Sequence, residues 1–305
     1  MLCRMASNRC MNTAIKLPYP VLFISHGSPM TALEPREAGA FMQQLGRTLE
    51  ASFGRPRAIL AISAHTLARA PTLLAGKQHA AVYDFGGFDP RLNLMRYDAP
   101  GAPALAQELM QSFAAAGLPL HSVDQGGLDH GIWTPLRFMF PDASIPVLPL
   151  AFVPSQSPAE QFALGKLLQG LSEQGVLIMA SGSITHNLRA IFAGRQPAID
   201  AAEVPESAAF RGWMRSRSSE RDWDALLDYR RQAPHAVAMH PTDEHLLPWF
   251  VAAGVGGREH APERLHDSLT FGCLGMDAYA FGPNAHELHQ ALQSAAAAND
   301  QHRPI

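Results

Sequence analysis

Four short apolar runs punctuate the chain: "PVLFIS" (20–25), "RAILAISA" (57–64), "IPVLPLAF" (145–152) and "GVLIMASGS" (175–183). A run of this length, without polar alternation, is the pattern of a strand buried on both faces. Between and after these runs, apolar residues recur at helical spacing among good helix formers. They predict helices over 35–53, 102–117, 158–173, two pieces within 204–229, a short one over about 245–253, and an Ala-rich one over 284–298. "LPLHSVD" (118–124) reads as a half-buried strand, and 266–282 as a β-hairpin around Gly275-Met276. Buried strands alternating with helices predict an α/β fold: a single domain with a central mainly parallel or mixed sheet, covered by helices on both faces. No Gly/Ser/Pro-rich linker and no internal repeat divides it. The expected domain is 18–299, between a flexible N-terminal tail (1–17) and a C-terminal tail (300–305).

In an open sheet of this kind, ligands bind at the carboxyl ends of the strands. His26 follows the first run, His65 the second and His186 the fourth. One histidine at a strand end is ordinarily a satisfied polar residue. Three, after three buried strands, place three imidazoles at one sheet edge, and imidazole is the commonest metal ligand. "GGLDHGIWTPL" (126–136) adds His130 beside Asp129 and Trp133. "AMHPTDEHLLPWF" (238–250) adds His240 and His245, with Pro248 in the first turn of the short helix. Asp243 and Glu244 suit the positive end of that helix, whereas a histidine there is better explained as a neutral imidazole held by a partner such as a metal. Tyr83, Phe85 and Phe88 in "YDFGGFDP" (83–90) read as core or as an aromatic pocket. "HELH" (286–289) lacks the HExxH spacing, and neither "SHGSP" nor "SGSITH" is a GxSxG elbow, so metalloprotease and serine-hydrolase chemistry are disfavoured.

Bulk composition narrows the class. Over 305 residues, 47% hydrophobic and 17% charged, there is material for a sizeable core. A net charge of −3 without a long basic run argues against nucleic acid as a partner. No apolar stretch reaches the roughly 20 residues that span a bilayer. The start, "MLCRMASNRCMNTAIK", lacks the apolar segment of a secretory signal, and Met11 is an alternative initiator. Cys3, Cys10 and Cys273 are too few and scattered for a disulfide framework or a cysteine-based zinc site, which fits a reducing cytoplasm.

Taken in order, "SHGSP" with His26, "SAHT" with His65, "GLDHGIWTPL" with His130, "SGSITHNL" with His186, "HPTDEHLLP" with His240 and His245, and "GCLGMDAYAF" resemble the class III extradiol ring-cleaving dioxygenases, more closely the DOPA 4,5-dioxygenase type. The resemblance runs from about residue 18 to 283, which makes the 18–299 domain the catalytic one. It implies a mononuclear non-heme Fe²⁺ needed for activity, while three neutral imidazoles with an open position also make a catalytic zinc set, so Zn²⁺ is a candidate for the ion bound as purified. It also implies a DOPA-like or otherwise substituted catechol and O₂ as partners, no membrane, and cleavage of the C–C bond beside the diol to a semialdehyde. Carried over, His26 and His65 become metal ligands and His245 the third, in preference to Glu244, where the broader superfamily has a carboxylate. His186 becomes the acid/base residue and a further ligand in the absence of substrate, His130 a catalytic histidine on the substrate side, and His240 a substrate-side or supporting residue. Phe88 and Trp133 are candidates to clamp the ring. The same histidines also admit a zinc-dependent hydrolase, or a non-enzymatic metal-binding protein on this scaffold.

Overall fold

In the computed structural model, residues 17–188, 191 and 197–301 are described. The four apolar runs form β1 (Val21–Ser25), β2 (Ala58–Ser63), β7 (Val147–Ala151) and β8 (Val176–Gly182), each buried at every position. Between β2 and β7 come β3 (Thr72–Leu74), β4 (Gln78–His79), β5 (Ala99–Pro100) and β6 (His121–Val123). After β8 come β9 (Glu263–His266), β10 (Leu269–Thr270), β11 (Leu274–Gly275) and β12 (Ala278–Phe281). Eight strands make one sheet in the order β6-β3-β7-β2-β8-β1-β12-β9. Its centre, β7-β2-β8-β1, is parallel, while β12 and β9 join antiparallel at one side and β3 meets β7 antiparallel at the other. The sheet is thus mixed around a parallel centre.

Successive residues of the central strands belong to opposite cores, as the two-residue period requires. Phe23, Leu60, Ile62 and Ile178 pack under α4 (Pro158–Lys166), α5 (Pro205–Glu220) and three short helices, α6 (Trp223–Leu227), α7 (Tyr229–Gln232) and α8 (Ala236–Met239), together with α9 (Leu247–Gly256). Leu22, Ile24, Ile59 and Met179 pack under α1 (Arg36–Phe53), α3 (His130–Met139) and α10 (Ala285–Gln301). A further helix, α2 (Pro103–Ala115), adds Leu105, Leu109 and Phe113 to the first of these cores. Helices therefore cover both faces, and the carboxyl ends of β1, β2 and β8 open on one edge.

Four local expectations are corrected. The predicted 266–282 hairpin is two nested pairs: β9 with β12 in the main sheet, and a small β10–β11 hairpin outside it. The inner turn falls at 271–273, where Phe271 (φ 55°) and Gly272 (φ 69°) take left-handed conformations, so Gly275-Met276 leads into β12 rather than forming the bend. The 118–124 strand shrinks to the edge strand β6, exposed at all three of its positions, and only Leu120 just before it is buried in the core. The 158–173 helix ends at Lys166, and Leu167–Gly175 continues as turns held by i→i−3 bonds. α3 is not among the expected helices, and it carries Pro135 inside it. The expected N-terminal tail, with Cys3, Cys10 and Met11, lies outside the described residues except for Leu17, and α10 runs two residues past the expected domain end at 299. Among the described residues, no helix is long and apolar enough to cross a membrane.

Candidate metal centre

His26 sits one residue beyond β1. Its N–H still donates to Gly182 O (3.1 Å), which extends the parallel ladder to the histidine itself. Gly27 then turns the chain with φ 72°, where a Cβ would come within 2.8 Å of Thr31 Oγ1 and the Met276 thioether. Ser28 precedes the 3-10 turn Pro29–Ala32 and makes no side-chain cap bond. His65 lies two residues beyond β2, where Asp129 holds the exit: its carboxylate accepts from Ser63 Oγ (2.7 Å), Thr66 Oγ1 (2.5 Å) and Gly131 N–H (2.8 Å). The same side chain caps α3, so the end of β2 and the start of α3 move as one. His245 lies just before α9, and Ser183 N–H donates to its carbonyl (2.8 Å). That approach requires Gly182, whose missing Cβ would lie 2.1 Å from His245 O.

These three histidines converge. His65 Nε2 is 3.2 Å from His26 Nε2 and 3.3 Å from His245 Nε2. Two nitrogens each about 2.1 Å from one ion, at about 90–109° from each other, lie about 3.0–3.4 Å apart, so the spacing fits one shared cation. The opposite ring edges are committed. Ser181 Oγ donates to Gly131 O (2.5 Å) and must therefore accept from His26 Nδ1–H (2.8 Å). Gly131 O is free for Ser181 because the residue four positions on is Pro135, which has no N–H to offer it. His245 Nδ1–H donates to Glu244 Oε1 (3.1 Å), itself bonded by Thr242 Oγ1 (3.0 Å), and His65 Nδ1 lies 3.4 Å from Asp84 Oδ2. His26 and His245 thus turn an unprotonated Nε2 toward the centre, in the manner by which outer hydrogen bonds fix metal-ligand tautomers, whereas His65 Nδ1 makes no hydrogen bond to Asp84. Burial, then the neighbouring imidazoles, hold His26 and His245 well below the ordinary histidine value, and burial first lowers His65 also. All three are neutral near pH 7 and suited to a 2+ ion.

Two further histidines flank the trio. His186 lies flat on His245, with ring centroids 3.4 Å apart and planes at 8°, and burial followed by His240 pushes it down to about 3. Its ligand atom groups with those of Glu244 and His245 rather than with the trio of His26, His65 and His245, so His245 is shared by the two sets. His130 opens α3 and meets His26 edge-on at 5.2 Å, with Nδ1 3.0 Å from both oxygens of Asp84. A cavity of about 180 Å³ lies over the group, walled on its apolar side by Phe85, Phe88, Leu188 and Leu274. A larger cavity of about 310 Å³, between the start of α1 and β10, contains no histidine, so size alone does not mark the site.

The structure does not bring His240 to the cavity. Its buried ring sits among Phe210 and Tyr229, and Nε2–H donates to Ile184 O (2.7 Å), behind His186. Trp133 is likewise buried, its indole N–H bonded to Val82 O (3.1 Å), and only Phe88 of the two expected clamps faces the cavity. Asp84 and Ser181 are the residues sequence reasoning missed. Ser181 left a trace, since a hydroxyl within a buried apolar strand must find a partner. Asp84 stands within the aromatic "YDFGGFDP" stretch but gave no signal of its own.

Comparison with known proteins agrees with this geometry. The family model for the catalytic LigB subunit of aromatic ring-opening dioxygenase matches residues 20–282. The chain is 35% identical over 261 residues to the 4,5-DOPA dioxygenase extradiol of Beta vulgaris, covering 85% of this chain and 95% of that one. It is 32% identical over 267 residues to the protein of the same description from Escherichia coli (strain K12), covering 86% and 94%. The crystal structure of an uncharacterized Escherichia coli K12 protein superposes with a TM-score of 0.71 at 29% identity, covering 86% of this chain and 99% of that one. Sequence motifs, sheet and histidine cluster lead to one conclusion: the chain belongs to the family of the catalytic LigB subunit of aromatic ring-opening dioxygenases, metal-dependent extradiol enzymes.

Proposed function

We propose that the protein cleaves the ring of a substituted catechol with O₂, at the bond beside the diol, using one Fe²⁺ held by His26, His65 and His245. The observation that carries this reading is the convergence of three Nε2 atoms, that of His65 lying 3.2 and 3.3 Å from the other two, under an aromatic-walled cavity. Bound there, iron(II) supplies a common centre for the diol oxygens and dioxygen. The neutral imidazole of His186 accepts a proton from a catechol hydroxyl and returns it later in the reaction. His130 faces the other side of the cavity and takes a hydrogen bond from the substrate. Phe85 and Phe88 hold the ring and exclude water. A cavity of about 180 Å³ is smaller than the roughly 300 Å³ at which drug-sized pockets begin, which favours a single ring with a short substituent. Three neutral imidazoles also suit Zn²⁺, which we expect in the isolated protein.

The test is anaerobic replacement of the bound metal by Fe²⁺, followed by a panel of catechols that includes DOPA, with O₂ uptake and yellow product followed together. We expect turnover with iron and none with zinc. His65→Ala loses metal and activity. His186→Ala keeps metal, and its turnover falls about 10²–10⁴-fold. Iron-loaded protein that consumes no O₂ with any catechol, or a His65→Ala variant of full activity, overturns the assignment.

A further inference from the structure

The geometry points to Asp84 as the positioning residue that fixes the tautomer of His130, leaving it a hydrogen-bond acceptor toward the cavity. Asp84 lies on the segment between β4 and β5 that also brings Phe85 and Phe88 to the cavity. Its carboxylate accepts the His130 backbone N–H (3.0 Å) and lies 3.0 Å from His130 Nδ1 through each oxygen. A carboxylate only accepts, so Nδ1 carries the proton and Nε2 the lone pair. The His130 side chain is only 6% exposed and its ring is wedged edge-on between His26 and Phe85, at 5.2 and 5.6 Å, so a flip that exchanged the ring edges is blocked. His130 lines the cavity, and Nε2 makes no hydrogen bond to the described residues. The one nitrogen available to a ligand is therefore an acceptor, matched to a catechol O–H and not to a carbonyl. The same carboxylate lies 3.4 Å from His65 Nδ1 without a hydrogen bond between them, so its hydrogen bonds serve His130 and zinc binding does not depend on it.

The inference rests on the proposed dioxygenase reading for its catalytic consequence, but its structural core does not. A plain structural role also exists, since Asp84 accepts a backbone N–H at the start of α3. Asp84→Asn separates the two. The isosteric amide keeps its oxygen on His130 N–H and puts its NH₂ in the place of Oδ2, 3.0 Å from Nδ1. An Nδ1–H then meets a donor where it had an acceptor, whereas an Nδ1 lone pair accepts from it, so the balance moves to the Nε2–H tautomer. An Asp-to-Asn change beside a catalytic histidine acts in this way elsewhere. The readout is nitrogen NMR of ¹⁵N-histidine-labelled, zinc-loaded protein, with His130→Gln identifying the signal, together with zinc content and steady-state kinetics of the iron form. We expect wild-type His130 protonated at Nδ1, Asp84→Asn protonated at Nε2, zinc content unchanged, and kcat at least 10-fold lower with KM within about threefold. An unchanged tautomer, loss of zinc, or kcat within twofold of wild type overturns the proposal. If wild type turns over no catechol, the dioxygenase reading fails, while the NMR comparison still decides the role of Asp84.

Discussion

Ser181→Ala tests how far the metal site depends on a hydroxyl that no ligand would touch. Ser181 is fully buried and His26 is 1% exposed, so neither group left behind has ready access to water. The substitution removes the acceptor of His26 Nδ1–H and the donor to Gly131 O. Leaving a buried polar group unsatisfied costs about 1–3 kcal/mol, so two such groups set an expected loss of about 2–6 kcal/mol. Relaxation and the second lone pair of the carbonyl favour the lower half, about 2–4 kcal/mol. There is a second effect. Without its acceptor, His26 is free to move its proton to Nε2, where it blocks the metal, and loss of such an outer partner lowers metal affinity about 10–100-fold. Urea unfolding of metal-free protein reads the first effect, and zinc competition against a chromophoric chelator reads the second. Ser218→Ala is the control, because that buried hydroxyl has no hydrogen-bond partner among the described residues, and we expect it to change stability by less than about 0.5 kcal/mol. Zinc affinity of Ser181→Ala within twofold of wild type refutes the tautomer argument, whatever the stability.

Three further outcomes follow from the same contacts. Gly182→Ala places a Cβ 2.1 Å from His245 O, so the backbone carrying that ligand must move, with about 1–3 kcal/mol of lost stability and weaker zinc binding in the same two assays; wild-type zinc affinity contradicts it. Asp277→Ala removes the buried carboxylate 2.8 Å from Arg211 Nε, while Glu203 and Asp267 still pair with that guanidinium, and should lower unfolding stability by about 1.5–3 kcal/mol, with a loss under about 0.5 kcal/mol counting against it. Acid should destabilise the metal-free protein, because burial, the first cause in each case, pushes His186 down to about 3 and His240 to about 4. Between those values and the ordinary 6.5 the unfolded chain binds more protons, so this stability is intact above about pH 6.5 and falls with pH at up to about 1.4 kcal/mol per unit for each group. A urea midpoint that is flat from pH 7.5 to 5 contradicts this.

The chain by itself determined the central architecture, because a strand buried on both faces has to be written as an unbroken apolar run. The four runs locate β1, β2, β7 and β8, and a histidine beyond a parallel strand end is carried to one edge whatever the rest of the fold does. That is why His26, His65 and His186 were legible as neighbours, and why His245 could be preferred to Glu244 from its place before a helix. What the tertiary structure decided is orientation. Position along a chain does not say which way a ring points: His240, five residues from His245, turns into the core, whereas His245 turns its Nε2 to that of His65. Nor does it show partners from distant segments. Ser181 is 155 residues from His26, and Asp84 is 46 from His130, and each pair is made by the folding of separate elements. Which ring nitrogen faces the cavity depends on those partners, and Ser181, Glu244, Asp84 beside His130 and the N–H that Pro135 lacks reach their histidines only through the tertiary fold.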